Sequence, residues 1–302
     1  MKFRIARLIC VSLCVLAFGA KGARGSTVAS RAVVAVLDLG ETETGRRAAD
    51  ELASALAKTS NFELVNRAQG RAAARGVGYA GSLNLTLAEA RDLGGAIGCD
   101  FYLTGDAQTL RRTSSARPLY FESYAAVFVV SATTGRLVMW DQFNAESLSS
   151  PGEAEKAMLG ELRARAARYG EAISQAQDAE RRERQSAGEG EAFEDTPEDG
   201  SAAAKNFRAP QPYRSLRPSY PDTAARMSAE ATVDALVSID ADGEVKNIEI
   251  VRWAGYGLNE AVIATIRQLH FRAATRDGQP VPIRALLRYN FRRPADETKG
   301  KG

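Results

Sequence analysis

The sequence predicts two folded regions of different class: an α/β region over residues 31–175, a mixed sheet with helices, and a small α+β region over 206–293 with the order strand, strand, helix, strand. Three observations carry this. Strand-length apolar runs, continuous or alternating, are interleaved with segments whose apolar residues recur at helical spacing. Tight-turn compositions such as Asp240-Ala241-Asp242-Gly243 join neighbouring runs. Between the two regions, 176–205 turns to Glu, Arg, Ala, Gly and Ser and reads as an acidic disordered linker, although Ala176 to Gln185 could prolong the preceding helix.

In the first region Val33 to Leu39, ended by Gly40, suits a strand covered on both faces. Ala48, Leu52, Ala55 and Leu56 then recur at helical spacing, and Phe62 to Val65 gives a second strand. Thr86 to Ile97 reads as a helix capped by Thr86, with Glu89 as its capping-box partner. Three long strands follow, Phe101 to Leu110, Leu119 to Ala132 and Leu137 to Glu146, the last two joined by Thr133-Thr134-Gly135-Arg136. A final helix starts at Pro151 and runs through Met158, Leu162 and Ala166.

In the second region Val233, Ala235, Val237 and Ile239 alternate with Thr232, Asp234, Leu236, Ser238 and Asp240, the period of a strand with one buried face. Val245 to Arg252 alternates again and completes a hairpin. Leu258, Ala261, Val262, Thr265, Ile266 and Leu269 form one helical stripe. The turn Asp277-Gly278-Gln279-Pro280 leads into a last strand, Val281 to Phe291, with Ile283, Leu287 and Phe291 on one face, and 294–302 is expected to be a disordered tail. Asn206 to Tyr220, with Pro210, Pro212 and Pro218, reads as stiff extended chain.

A chain of 302 residues, 45% hydrophobic, accommodates two such domains. Its 40 basic and 37 acidic residues are interspersed, for a net charge of +3, so nucleic acid is not an expected partner. Residues 1–25 carry the marks of a secretory signal: Lys2, Arg4 and Arg7, then the apolar run Leu8 to Ala20, then small-residue cleavage sites. That run falls short of the about 20 residues that span a bilayer. Neither Cys10 nor Cys14 has the context that lipoprotein processing reads, and Cys99 beyond them has no internal partner. A periplasmic location is expected, with outer-membrane association compatible with it.

No catalytic, cofactor or metal site is expected. Gly76-Val77-Gly78-Tyr79-Ala80-Gly81 fits a dinucleotide fingerprint in letters, but a helix precedes it where a strand is needed. His270 is the single histidine, too few for a histidine metal site and one base at most for a triad. Asp38 and Asp141 have no evident partner carboxylate, and Trp140 and Trp253 read as core or sheet aromatics. No small-molecule substrate is expected either.

The ordered series Tyr220-Pro221, Asp242-Gly243, Val245-x-x-Ile248-x-Ile250, Gly257-Leu258-Asn259-x-Ala261, Phe271-Arg272-Ala273-Ala274, Gly278-Gln279-Pro280-Val281 and Asn290-Phe291 resembles the C-terminal domain of TonB, the periplasmic energy transducer of Gram-negative envelopes. The sequence departs from that family at Asn259, at Ala273 and at Ala229-Glu230-Ala231. In the first region Val34 to Leu39, Asn61 to Arg67, the Ala88-Arg91-Gly94 helix, Cys99 to Gly105 and Thr133 to Leu137 resemble the α/β domain of the TolB N-terminus and of the CsgG and LpoB group of envelope proteins.

The TonB resemblance implies β-augmentation, in which an edge strand takes up an extended segment of a partner such as an outer-membrane receptor. It assigns Arg217, Tyr220 and Pro221 together with the strand residues Val281, Ile283, Ala285, Leu287 and Tyr289 to peptide binding. Arg217 stands where TonB has Gln, and Tyr220 reads equally as a pin holding the incoming chain to the core. A non-enzymatic adaptor between envelope proteins is the expected function. Alternatives are an inner-membrane-anchored energy transducer and an activator of a cell-wall synthase or other envelope enzyme. A homodimer is compatible with the sequence, but a second copy paired along the same edge would block peptide uptake.

Overall fold

The computed structural model describes residues 31–59, 62–116, 119–186, 193–198 and 200–293. The expected signal segment 1–25 with Cys10 and Cys14, residues 187–192 and 199 of the expected linker and the expected 294–302 tail lie outside the described residues. The first region runs β1 (Val33–Leu39), α1 (Glu43–Thr59), β2 (Glu63–Leu64), α2 (Arg67–Gly76), β3 (Leu85–Thr86), α3 (Leu87–Ile97), β4 (Phe101–Arg112), β5 (Tyr120–Ser131), β6 (Leu137–Ser147) and α4 (Pro151–Ser186). Then come β7 (Glu194–Asp195), β8 (Phe207–Arg208), β9 (Gln211–Pro212) and α5 (Asp222–Met227). The second region follows with β10 (Ala231–Ile239), β11 (Val245–Trp253), α6 (Leu258–Ile266), β12 (Phe271–Arg272), β13 (Thr275–Arg276), β14 (Gln279–Pro280) and β15 (Ile283–Phe291). An α/β region followed by a small α+β region is the class expected from the sequence.

The first sheet has the order β2-β1-β4-β5-β6, with β1 parallel to β2 and β4 and the other pairs antiparallel. One face, bearing Val34, Val36, Phe101, Leu103, Val127 and Val129, is covered by α1 and α4 through Leu52, Leu56, Met158, Leu162 and Ile173. The helices form where the spacing places them. The capping box is present, with the Glu89 amide donating to Thr86 Oγ1 at 3.1 Å and the Thr86 amide to Glu89 Oε2 at 2.7 Å. α3 ends on Gly98 in the left-handed conformation.

The second sheet has the order β3-β11-β10-β15-β7, so strands from the first region and from the expected linker form its two borders. β3 pairs antiparallel with β11, Thr86 opposite Arg252 and Leu85 opposite Trp253. β10 and β15 pair without interruption from Ala231 opposite Phe291 to Ile239 opposite Ile283. On the outer face Asp234 is buried between Arg288, at 2.7 Å, and Arg252, at 3.5 Å, a charge ladder across three strands.

The two regions share one core. The inner face of the second sheet, with Val233, Ala235, Val237 and Ile239, belongs to the same apolar cluster as Leu37, Tyr102, Phe128 and Val130 of the first sheet. At the junction the Phe128 ring lies 6.1 Å from Trp253 and 5.4 Å, edge-on, from Tyr256. Trp253 is buried and its Nε1 donates to the Gly135 carbonyl at 3.0 Å. Gly255, at φ +60°, permits this approach, because a Cβ there would sit 2.4 Å from the Phe128 ring. Arg136 adds ion pairs to Glu183 on α4 and Glu249 on β11, at 2.8 and 2.9 Å.

The arrangement differs from two domains on an acidic tether. Of 176–205, residues through Ser186 continue α4, and Glu194–Asp195 pair with β15. Arg276 and Arg284, distant in sequence, form ion pairs with Glu194 and Asp195 at 2.7 and 2.9 Å. No helix among the described residues is long and apolar enough to cross a membrane.

Candidate functional site

β15 reads inward and outward on alternate residues. Ile283, Ala285 and Phe291 are buried and Leu287 and Tyr289 half-buried, whereas Leu286, Arg288 and Asn290 are exposed. β10 occupies one side of the strand along its whole length. On the other side β7 pairs in parallel at Ile283 and Arg284 only. The Glu194 amide donates to the Pro282 carbonyl at 3.4 Å and the Thr196 amide to the Arg284 carbonyl at 3.1 Å. These carbonyls fix the parity: ladder groups facing away from β10 come from alternate residues, so Leu286, Arg288 and Asn290 supply the next ones. Among the described residues no strand pairs with that stretch.

Several assignments drawn from resemblance shift accordingly. Val281 spends its amide on the Ala274 carbonyl at 3.0 Å. Ile283, Ala285, Leu287 and Tyr289 turn their backbone groups towards β10 and their side chains towards the core, so the residues available to a guest strand are the even-numbered ones between them. The alternation in the sequence identifies the two faces, but which set borders the guest depends on pairing with β10, which alternation does not specify.

The Tyr220 ring lies 6.3 Å from that of Phe291, tilted by 42°, and its hydroxyl donates to the Ala229 carbonyl at 2.9 Å. Burial, with the nearby Glu230 charge second, raises its pKa. This geometry fits the pin that the sequence also allowed. Pro221 precedes the first turn of α5 and closes on Gly257, while Arg217 is exposed. The short α5 was not foreseen; six residues between Pro221 and a left-handed Ser228 give little periodicity to read.

The chemical candidates are engaged otherwise. His270 is exposed, with Nδ1 3.1 Å from Glu244 Oε1. Cys99 is partly buried, and burial, then the Asp100 charge, pushes its thiol up to about 12, far from a thiolate nucleophile. Asp38 is paired with Arg67 at 2.8 Å, and Asp141 is held by Arg165 and the Tyr169 hydroxyl at 2.9 and 3.0 Å. Trp140 Nε1 donates to Glu260 at 3.1 Å. The Gly76–Gly81 loop borders a crevice of about 610 Å³ at the carboxyl end of β1 and beside the middle of β4, where Asp106 accepts from Tyr124 and Gln108. Among the described residues no His, Cys, Asp and Glu group has the geometry to hold a metal ion.

Residues 217–292 match the family described as Gram-negative bacterial TonB protein C-terminal. No curated protein matches the chain. Among solved structures, a hypothetical protein of Chlamydia trachomatis is similar at 13% identity and a TM-score of 0.35, covering 47% of this chain and 98% of that one. The PelC dodecamer of Paraburkholderia phytofirmans is similar at 13% identity and a TM-score of 0.31, covering 45% and 88%. The LpoB C-terminal domain of Salmonella enterica is similar at 16% identity and a TM-score of 0.29, covering 40% and 87%.

Proposed function

We propose that this chain is a non-enzymatic periplasmic envelope protein that takes up an extended segment of a partner protein by β-augmentation on β15. The observation that carries this is the outer side of β15, whose ladder is occupied at Pro282 to Arg284 and continues past Leu286, Arg288 and Asn290 with no paired strand among the described residues. The family match over 217–292 supports an envelope setting and an outer-membrane receptor segment as one class of guest. The first region acts as the foundation that fixes the second sheet, with its own surfaces free for another envelope protein.

Photo-crosslinking residues introduced singly from Leu286 to Asn290, in cells of the source organism, test the proposal. Adducts at 286, 288 and 290, and weak or none at 287 and 289, are expected. Adducts confined to the exposed side of α6 would sink it.

A further inference from the structure

The linker segment on β15 is held by charge as well as by its backbone. Asp195 lies opposite Arg284, with a carboxylate oxygen 2.9 Å from its Nε, and Glu194 reaches Arg276 at 2.7 Å. Thr196 adds a second bond to the Arg284 carbonyl through its hydroxyl at 2.8 Å. Beyond this contact the exposed positions of the strand continue with Leu286, Arg288 and Asn290, and Arg292 follows. Arg288 is already paired with Asp234, so Arg276 and Arg284 are the cations that the segment itself engages. The fit is incomplete: the Nε atoms of Arg276 and Arg284 are buried, and neither has a hydrogen-bond partner among the described residues. Arg276 does bond Glu194 through its Nη2 at 2.7 Å, whereas the Nε of Arg284 lies 2.9 Å from Asp195 without the linear donor geometry that makes a charge-assisted bond strong.

We infer that the β15 edge is built for an acidic extended segment and that residues 193–196 are a tethered stand-in for it, which the true partner displaces. The inference rests on β15 being the docking strand. A guest strand running past Leu286 would extend a ladder that the stand-in uses over only three residues, and carboxylates seated on Arg276 and Arg284 would satisfy the donors left unused. The tether sets the strength of the competition. A covalently linked segment acts at an effective concentration on the order of millimolar, so even a weak intramolecular contact sets a threshold that a guest must exceed. Glu194 and Asp195 are both exposed, so replacing them opens the edge without disturbing the core.

The test uses the full chain and a fluorescein-labelled peptide copying residues 191–200, followed by anisotropy. The double variant Glu194→Ala/Asp195→Ala should bind the peptide about tenfold more tightly than the unaltered chain, and adding Arg284→Glu should abolish the gain. The gain should also fall as salt is raised from 50 to 300 mM. A companion peptide with Glu and Asp replaced by Gln and Asn separates the two levels of argument. If the opened variant takes both peptides equally, β15 still accepts strands and acid selectivity is overturned. If it takes neither, β-augmentation on this edge is overturned with it. Equal affinity of the acidic peptide for the opened and unaltered chains overturns the stand-in.

Discussion

The two sheets treat their faces differently. In the first, β5 is buried continuously from Ser123 to Ser131, because α1 and α4 cover one face and the second region with α3 covers the other. In the second, β15 is buried only at alternate residues, and its outward face carries arginines, Leu286 and Asn290. A strand enclosed on both sides reads as an unbroken apolar run, whereas a strand with a free face keeps the alternation that a passing chain can use. The difference teaches that the first sheet is enclosed on both faces, whereas the second keeps one face and part of one edge open.

The sharpest way to break this comparison is at the shared core. Trp253→Ala removes a buried ring and the bond to Gly135, and is expected to cost about 4 kcal/mol. Denaturant unfolding should show the first and second regions melting in one transition at lower denaturant. Two separated transitions in the unaltered chain would mean the regions are independent after all. Asn84 offers a smaller lever. Its side chain donates to the Thr232 and Trp253 carbonyls at 2.7 and 2.8 Å and accepts from the Thr232 amide at 3.1 Å. Asn84→Ala should cost about 2 kcal/mol and increase hydrogen exchange at β11 and β3, with the α1 and α4 face unchanged.

The smallest effect is that of pH. Lys246 first, then the Glu244 amide, holds the Asp240 carboxyl below the usual carboxylate range, and the Thr86 amide first does the same for Glu89. Both pKa values are depressed on folding, so their stabilisation is present above the unfolded values near 4 and is lost as pH falls through the folded ones. Thermal melts taken from pH 6 downwards should decline below about pH 4, and Asp240→Asn with Glu89→Gln should flatten that decline. An unchanged slope in the double variant would assign the acid sensitivity to other carboxylates.

Much of the architecture was legible because it is local. The Thr86 and Glu89 capping box, the Asp240 to Gly243 turn and the alternation along β10 each need only a few neighbouring residues to declare themselves. What was hidden depends on partners far away. Leu85 and Thr86 read only as the approach to a helix, and their role as a strand appears once β11 lies beside them. Glu194 and Asp195 belong to a composition that cannot order itself, and they meet β15 and arginines some 80 to 90 positions on. The last strand of the second region was visible, but which of its residues turn their backbone groups away from β10 was not, since parity is decided by pairing.

The contact between Gly255 and Phe128 bears on how the protein can be taken apart. Severing the chain near Asn206 to obtain a convenient C-terminal fragment would strip the strand β3 from its border and leave Trp253 and Tyr256 facing water in place of the Phe128 ring. Such a piece would offer two sticky surfaces instead of one, and anything captured on the freshly exposed aromatics would be an artefact of the cut.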